Sequence, residues 1–196
     1  NGLDCLIPHG IFTGLIGCPF ICPDMIGGGE WTAFVYGKHD EELFIRMAEA
    51  SALFPMMQFS SLPWRHLSSK AVQVCKEMAE LHEQMYPEIE QALEVTEHTG
   101  EPMIRSMEYA YPGCGYERIN DQFLLGENIL VAPVVEKGAR ARRVIFPQGV
   151  WQDSVPMTFA CDECVADTWE FTLEHRHPMH VPAVTFHASA RLNNWE

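Results

Sequence analysis

The chain changes its hydrophobic period near residue 110, and that change limits the folds open to it. Upstream, Val72, Cys75, Met78, Ala79, Leu81 and Met85 recur three and four residues apart, the spacing that lines one face of a helix. Downstream of Tyr109 come three short apolar runs, 123–125, 129–135 and 143–146. They are split by Gly126-Glu127-Asn128 and by Lys137-Gly138, the pattern of antiparallel strands joined by turns. The chain is therefore α/β in its first part and all-β in its second, with a predicted boundary at 110 (domains 1–110 and 111–196).

Within the first part the elements alternate. Cys18-Pro19-Phe20-Ile21-Cys22 is a short apolar run that predicts a buried parallel strand. Asp24 sits at its C-terminal end, followed by the loop Gly27-Gly28-Gly29. Asp40 is placed to cap a helix whose apolar face carries Leu43, residues 45–47 and Ala50. Residues 54–59, bounded by Pro55 and Ser60, predict the next strand. Ser68 or Ser69 opens a long helix that Pro87 interrupts and Gly100 ends. Residues 103–107 predict a further strand. Strand, loop, helix, strand, helix suits an α/β barrel better than a helical bundle.

Composition narrows the partners. The chain has 196 residues, 47% hydrophobic and 20% charged, with mean hydropathy -0.09, which fits a soluble globular protein. Its formal net charge of -14 repels nucleic acid and anionic membrane, and a neutral sugar is compatible with it. The run 10–26 holds three glycines, two prolines and an aspartate, which makes a poor transmembrane helix and a poor signal peptide. Seven scattered cysteines read as mostly buried thiols of a reducing, cytoplasmic compartment rather than a disulfide scaffold. A start at Asn1 without methionine reads as part of a longer polypeptide.

The order of several motifs carries a resemblance. Ile21-Cys22-Pro23-Asp24-Met25-Ile26-Gly27-Gly28 comes first, then Ala52-Leu53-Phe54-Pro55-Met56-Met57. Asp121-Gln122-Phe123-Leu124-Leu125-Gly126 and Ile129-Leu130-Val131-Ala132-Pro133-Val134 follow, then Phe146-Pro147-Gln148-Gly149-Val150-Trp151-Gln152-Asp153. Together they resemble glycoside hydrolase family 31 over residues 2–153. The resemblance implies the C-terminal part of a (β/α)8 TIM barrel followed by the start of an antiparallel β-sandwich. Most α-glucosidases of that family carry an arginine and a histidine where this chain has Gln58 and Ser60. The Pro23-Asp24 pair and Phe59-Ser60-Ser61-Leu62-Pro63-Trp64 resemble instead the myogenesis-regulating glycosidase branch. That branch is associated with α-galactoside cleavage.

The family's retaining chemistry needs a nucleophilic carboxylate and an acid/base carboxylate roughly 5–5.5 Å apart. The resemblance aligns residues 1–20 with the helix after the sixth barrel strand, so both carboxylates are expected upstream of Asn1, and none is assigned here. No cofactor is implied, because carboxylates do the chemistry. The expected partners are a carbohydrate substrate and the rest of the barrel, with an oligomer possible. The resemblance offers Asp24, Trp31, Ser60 and Trp64 as substrate-binding residues. Asp24 has a loop cap as its alternative role, and Trp31, Ser60 and Trp64 have ordinary packing. Asp121 reads as structural, and Arg105 with Glu108 as a buried ion pair. Cys161-x-x-Cys164 followed by His175-x-His177-x-x-His180 has the donor types of a zinc site. Its spacing matches no usual zinc module, and the family has no metal there. From about Ser154 the chain departs from the family pattern.

Overall fold

The computed structural model describes residues 2–28, 36, 39–139, 141–153, 158–161, 167–172 and 184–190. A 3-10 turn, Leu3–Cys5, leads into α1, Leu6–Leu15, at the position where the resemblance implied a helix. Helix α2, Glu41–Ser51, starts as expected on Asp40, whose Oδ1 accepts from Leu43 N at 3.2 Å. A short helix α3, Pro63–His66, and α4, Ser69–Gln84, follow; Ser68 Oγ caps α4 by accepting from Ala71 N at 3.3 Å. Pro87 breaks the long apolar-periodic stretch as its missing N–H requires. Its two parts are α4 and α5, Tyr86–Thr99, and Gly100 closes α5 in the left-handed conformation at φ 78°. The four-residue helix α6, Met107–Ala110, is capped by Ser106.

The strands are β1 Ile104–Arg105, β2 Phe123–Leu125, β3 Ile129–Ala132, β4 Ala141–Phe146, β5 Gly149–Asp153, β6 Thr158–Cys161, β7 Asp167–Thr172 and β8 Val184–Ala190. All pairings among them are antiparallel: one sheet runs β1-β2-β3-β8-β5-β6, and β4 pairs with β7. The hairpin β2–β3 pairs Phe123 with Val131 and Leu125 with Ile129, so both apolar runs read in the sequence are strands. The run 103–107 differs from expectation. Only Ile104 and Arg105 extend, and they pair antiparallel with Leu125 and Leu124. The chain then turns into the Ser106 cap, and this ends the strand.

The two expected parallel strands are also irregular. Among the described residues their ladder is reduced to one parallel bridge, Ile26 with Phe59, and a further hydrogen bond from Met56 N to Ile21 O. Prolines at 19, 23 and 55 remove the donors that a longer ladder needs. Ile21 and Ile26 are buried, but Cys18, Asp24 and Met25 are exposed, so the first run is half-buried. The cysteines are likewise less buried than expected. Of the five whose burial is described, only Cys75 is buried and Cys18 is exposed.

Three apolar clusters organise the interior. One gathers Ile7, Phe54, Ile89 and Ile104 with Phe123 and Ile129, so α1 and α5 close over the β2–β3 hairpin. A second holds Leu124, Leu130, Val144, Phe146 and Trp151. A third packs α2 on α4 through Phe44, Ile45, Ala48, Val74 and Met78, with Ile26 beneath. Among the described residues no helix is long and apolar enough to cross a membrane.

Candidate functional site

The segments 21–28 and 56–61 run side by side and end together. Met56 N donates to Ile21 O at 3.1 Å, Ile26 N to Gln58 O at 2.8 Å and Ser60 N to Ile26 O at 2.9 Å. Helix α2 lies between them in sequence, so this is a strand-helix-strand crossover with parallel ends. Gly27 turns the first segment at φ 74°, and a Cβ there would lie 2.2 Å from Phe44 Cε2. Glycine is needed for both reasons. Ser61 Oγ donates to Gly27 O at 3.4 Å. Phe44 stacks on Phe59 with centroids 6.3 Å apart, and the His39 ring stands edge-on to Phe44 and 4.9 Å from that of His66.

Two of the sequence-derived residues flank the Ile26–Phe59 bridge, Asp24 two residues before it and Ser60 directly after it. Asp24 is exposed, and its Oδ1 accepts from Met25 N at 2.7 Å. Ser60 is exposed beside the turn at Gly28. Trp64 follows on α3 and is 66% exposed. Trp31 lies outside the described residues. Cys22 Sγ contacts Asp24 O at 3.6 Å, and burial, with the Asp24 charge second, raises its thiol pKa.

The run Asp40-Glu41-Glu42 holds this unit to the rest of the molecule through three separate contacts. Asp40 caps α2 and pairs with Lys137, which holds the Asp40 carboxyl below its ordinary range and raises the lysine. Glu41 accepts from Ser68 N at 2.7 Å and from Ser68 Oγ at 2.9 Å, tying down the start of α4. Glu42 accepts from Gly138 N at 2.7 Å. Arg46, 2% exposed, pairs with the fully buried Glu49 at 3.1 Å and donates to Ala139 O at 3.4 Å. Sequence reasoning found only the Asp40 cap; apart from Glu49, three residues from Arg46 on the same helix, the other partners lie 27 to 97 residues away.

Two further expectations resolve at the edge of the antiparallel sheet. Asp121 is structural, pairing with Arg142 at 3.0 Å. Arg105 and Glu108 are not partners. Arg105 Nη1 pairs with Glu127 at 3.4 Å, while the Glu108 carboxylate accepts from Gly113 N at 2.8 Å and Tyr116 N at 3.2 Å. The β2–β3 turn returns to Arg105, and Glu108, on α6, is turned toward its own loop. Side chains of the tail motif Cys161, Cys164, His175, His177 and His180 lie outside the described residues.

Residues 100–184 match the glycosyl hydrolase family 31 C-terminal domain. The myogenesis-regulating glycosidase of Mus musculus is 38% identical over 159 residues, covering 77% of this chain and 22% of that protein. The chain belongs to glycosyl hydrolase family 31. The family 31 match runs to residue 184, so the departure expected from about Ser154 does not hold. The antiparallel strands β6 and β7 continue through that stretch.

Other relatives share the same region. The SITS-binding protein of Tetronarce californica is 34% identical over 154 residues, covering 77% of this chain and 22% of that protein. The chain thus spans about a fifth of the length of these relatives. Its fold is shared by a family 31 α-xylosidase from a soil metagenome, at TM-score 0.73 and 21% identity, covering 95% of this chain and 30% of that one. A Listeria monocytogenes protein superposes at TM-score 0.78 and 19% identity, over 96% of this chain and 18% of that one.

Proposed function

We propose that the family 31 chain is the glycone-side wall of a retaining exo-α-glycosidase acting on α-galactosides or related α-glycosides. Asp24, Trp31, Ser60 and Trp64 would contact the sugar. The supporting observation is the parallel bridge of Ile26 with Phe59, which Asp24 precedes by two residues and Ser60 follows directly, both side chains being exposed. A carboxylate at such an edge accepts hydrogen bonds from sugar hydroxyls, and an exposed indole offers a face for the ring. Residues 1–110 would form the last strand-helix units of a (β/α)8 barrel, with residues 111–196 entering a β-sandwich. The exposed Phe12, Leu15, Ile16, Phe20 and Tyr86 would be covered by the remainder of that barrel. The nucleophile and acid/base would come from that remainder, and the chemistry would be the two-carboxylate displacement with retention.

Two observations favour other readings. A probable α-glucosidase of Oryza sativa subsp. japonica is 30% identical over 144 residues, which supports α-glucosides or α-xylosides. A relative named for binding SITS rather than for a glycosidase activity supports a binding or scaffold role as the second alternative. The test is hydrolysis of nitrophenyl α-galactoside, α-glucoside and α-xyloside by the full-length protein. Preference for the galactoside is expected. Asp24→Asn should lower kcat/KM about 10–100-fold, the loss of a charge-assisted hydrogen bond of roughly 1.5–3 kcal/mol. Turnover of the glucoside alone would overturn the galactoside reading, and no turnover of any would favour the binding role.

A further inference from the structure

A second cleft opens where α5 crosses the β2–β3 turn. It encloses about 270 Å³, and Glu88, Gln91 and Val95 from α5 face Arg105, Glu127 and Asn128 across it. It shares no residue with the edge at Asp24 and Ser60. Its polar groups are unevenly satisfied. Arg105 is 8% exposed, held by Nε donating to Pro102 O at 3.2 Å and by Nη1 to Glu127 Oε1 at 3.4 Å. Glu88 Oε2 is buried and has no hydrogen-bond partner among the described residues. A desolvated carboxylate oxygen without a donor is costly, so the site gains when a ligand brings one.

The chemistry of the lining selects that ligand. Two carboxylates against one guanidinium leave the cleft net negative, which disfavours anions. A carboxylate accepts from two neighbouring hydroxyls and a guanidinium donates to two neighbouring oxygens. The carboxamides of Gln91 and Asn128 do both. Groups that alternate donor and acceptor on adjacent carbons are vicinal diols. The apolar floor of Val95, Leu125 and Ile129 suits the C–H face of a ring. The volume lies just below the roughly 300–1,000 Å³ of drug-sized pockets, which leaves room for one ring. We propose that this cleft binds a single neutral sugar or cyclic polyol, with Glu88 and Arg105 as its two anchors.

Ligand-observed saturation-transfer NMR on the full-length protein tests this, with D-galactose, D-glucose and myo-inositol as probes and sulfate and D-glucuronate as competitors. The Asp24→Asn background separates the cleft from the edge at Asp24. There the sugar signal should persist, and it should weaken at least tenfold on adding Glu88→Gln or Asn128→Ala. Gln91 and Asn128 are exposed, so Gln91→Ala and Asn128→Ala keep the test available if a Glu88 variant does not fold. Loss of all sugar signal in the Asp24→Asn background would overturn the proposal, as would a signal indifferent to all three cleft substitutions. Displacement of the sugar by sulfate at equal concentration would overturn it too, making the cleft an anion site on Arg105. Survival of the Asp24 substitution's effect on turnover in Glu88→Gln would leave the glycosidase reading standing independently.

Discussion

The crossover unit around 21–60 and the antiparallel region from 103 to 151 are held together by different forces. The antiparallel region is laced by backbone ladders in continuous register, such as Phe123 with Val131, Leu124 with Leu130 and Leu125 with Ile129. Its side chains reinforce the ladder: Trp151, 1% exposed, donates from Nε1 to Pro147 O at 2.9 Å. The crossover unit has one parallel bridge. It is held by α2, whose residues from Phe44 to Ser51 are all buried, and by the contacts of 40–46 with the 137–139 turn. A ladder distributes its stabilisation along the backbone, whereas the crossover concentrates it in a few side chains. The proposed sugar edge therefore sits on the part of the molecule most exposed to single substitutions.

The largest expected effect is at Arg46. Arg46→Met removes the guanidinium paired with the buried Glu49 carboxylate and should cost about 3–5 kcal/mol, read as a lowered urea midpoint. Arg46→Met with Glu49→Leu should recover most of that loss; if it does not, the hydrogen bond to Ala139 O matters more than the charge pair. Next is Gln122→Ala, which leaves the Ile145 amide and carbonyl unpartnered and should cost about 1–3 kcal/mol. A loss equal to that of Arg46→Met would erase the contrast drawn between the regions.

Alkaline titration gives a third comparison. Burial, then the charges of Glu49 and Glu41, push the Cys75 thiol up from 9.0 to about 12. A raised folded value means that its contribution is complete below the unfolded pKa and is lost as pH rises toward about 12. Cys75→Ala should flatten this limb of the stability profile. Maleimide labelling followed by peptide mass analysis should mark Cys18 quickly and Cys75 only on opening of the α2–α4 core.

The smallest effect is at the exposed Lys137–Asp40 pair. Lys137→Ala should move the urea midpoint least of the three substitutions, and less still at high salt. Asp40 has a lowered carboxyl pKa, so its contribution is present above its unfolded value. It fades as pH falls through the lower folded value. The variant should flatten the acid limb, and a loss of several kcal/mol at neutral pH would show that the turn contact is more than a surface pair.

Local signals were legible in the sequence, and distant ones were not. Asp40, Ser68 and Gly100 announce their helix ends because a cap is satisfied within three or four residues. The runs 123–125 and 129–132 were readable because a short Gly-containing turn joins them. The pairing of Ile104 with Leu125 was not, since a two-residue strand has no periodicity and its partner lies 21 residues on. Arg105 and Glu108 were misassigned for the same reason: their true partners are set by where the chain returns. The reading of Asp24 and Ser60 as sugar contacts rests on family resemblance alone, because the prolines around them remove the strand pattern.

One side chain ties the two sheets together in a way that no titration should disturb. Gln122 Oε1 accepts from Ile145 N at 3.1 Å and Nε2 donates to Ile145 O at 2.7 Å, so a carboxamide stands in for a peptide unit beside β4. Its neighbour Asp121 grips Arg142 through charge. An amide carries no proton to gain or lose between the extremes of pH a cell or a lysosome-like compartment presents. The alignment of β4 against the segment before β2 should thus be as firm in acid as at neutrality.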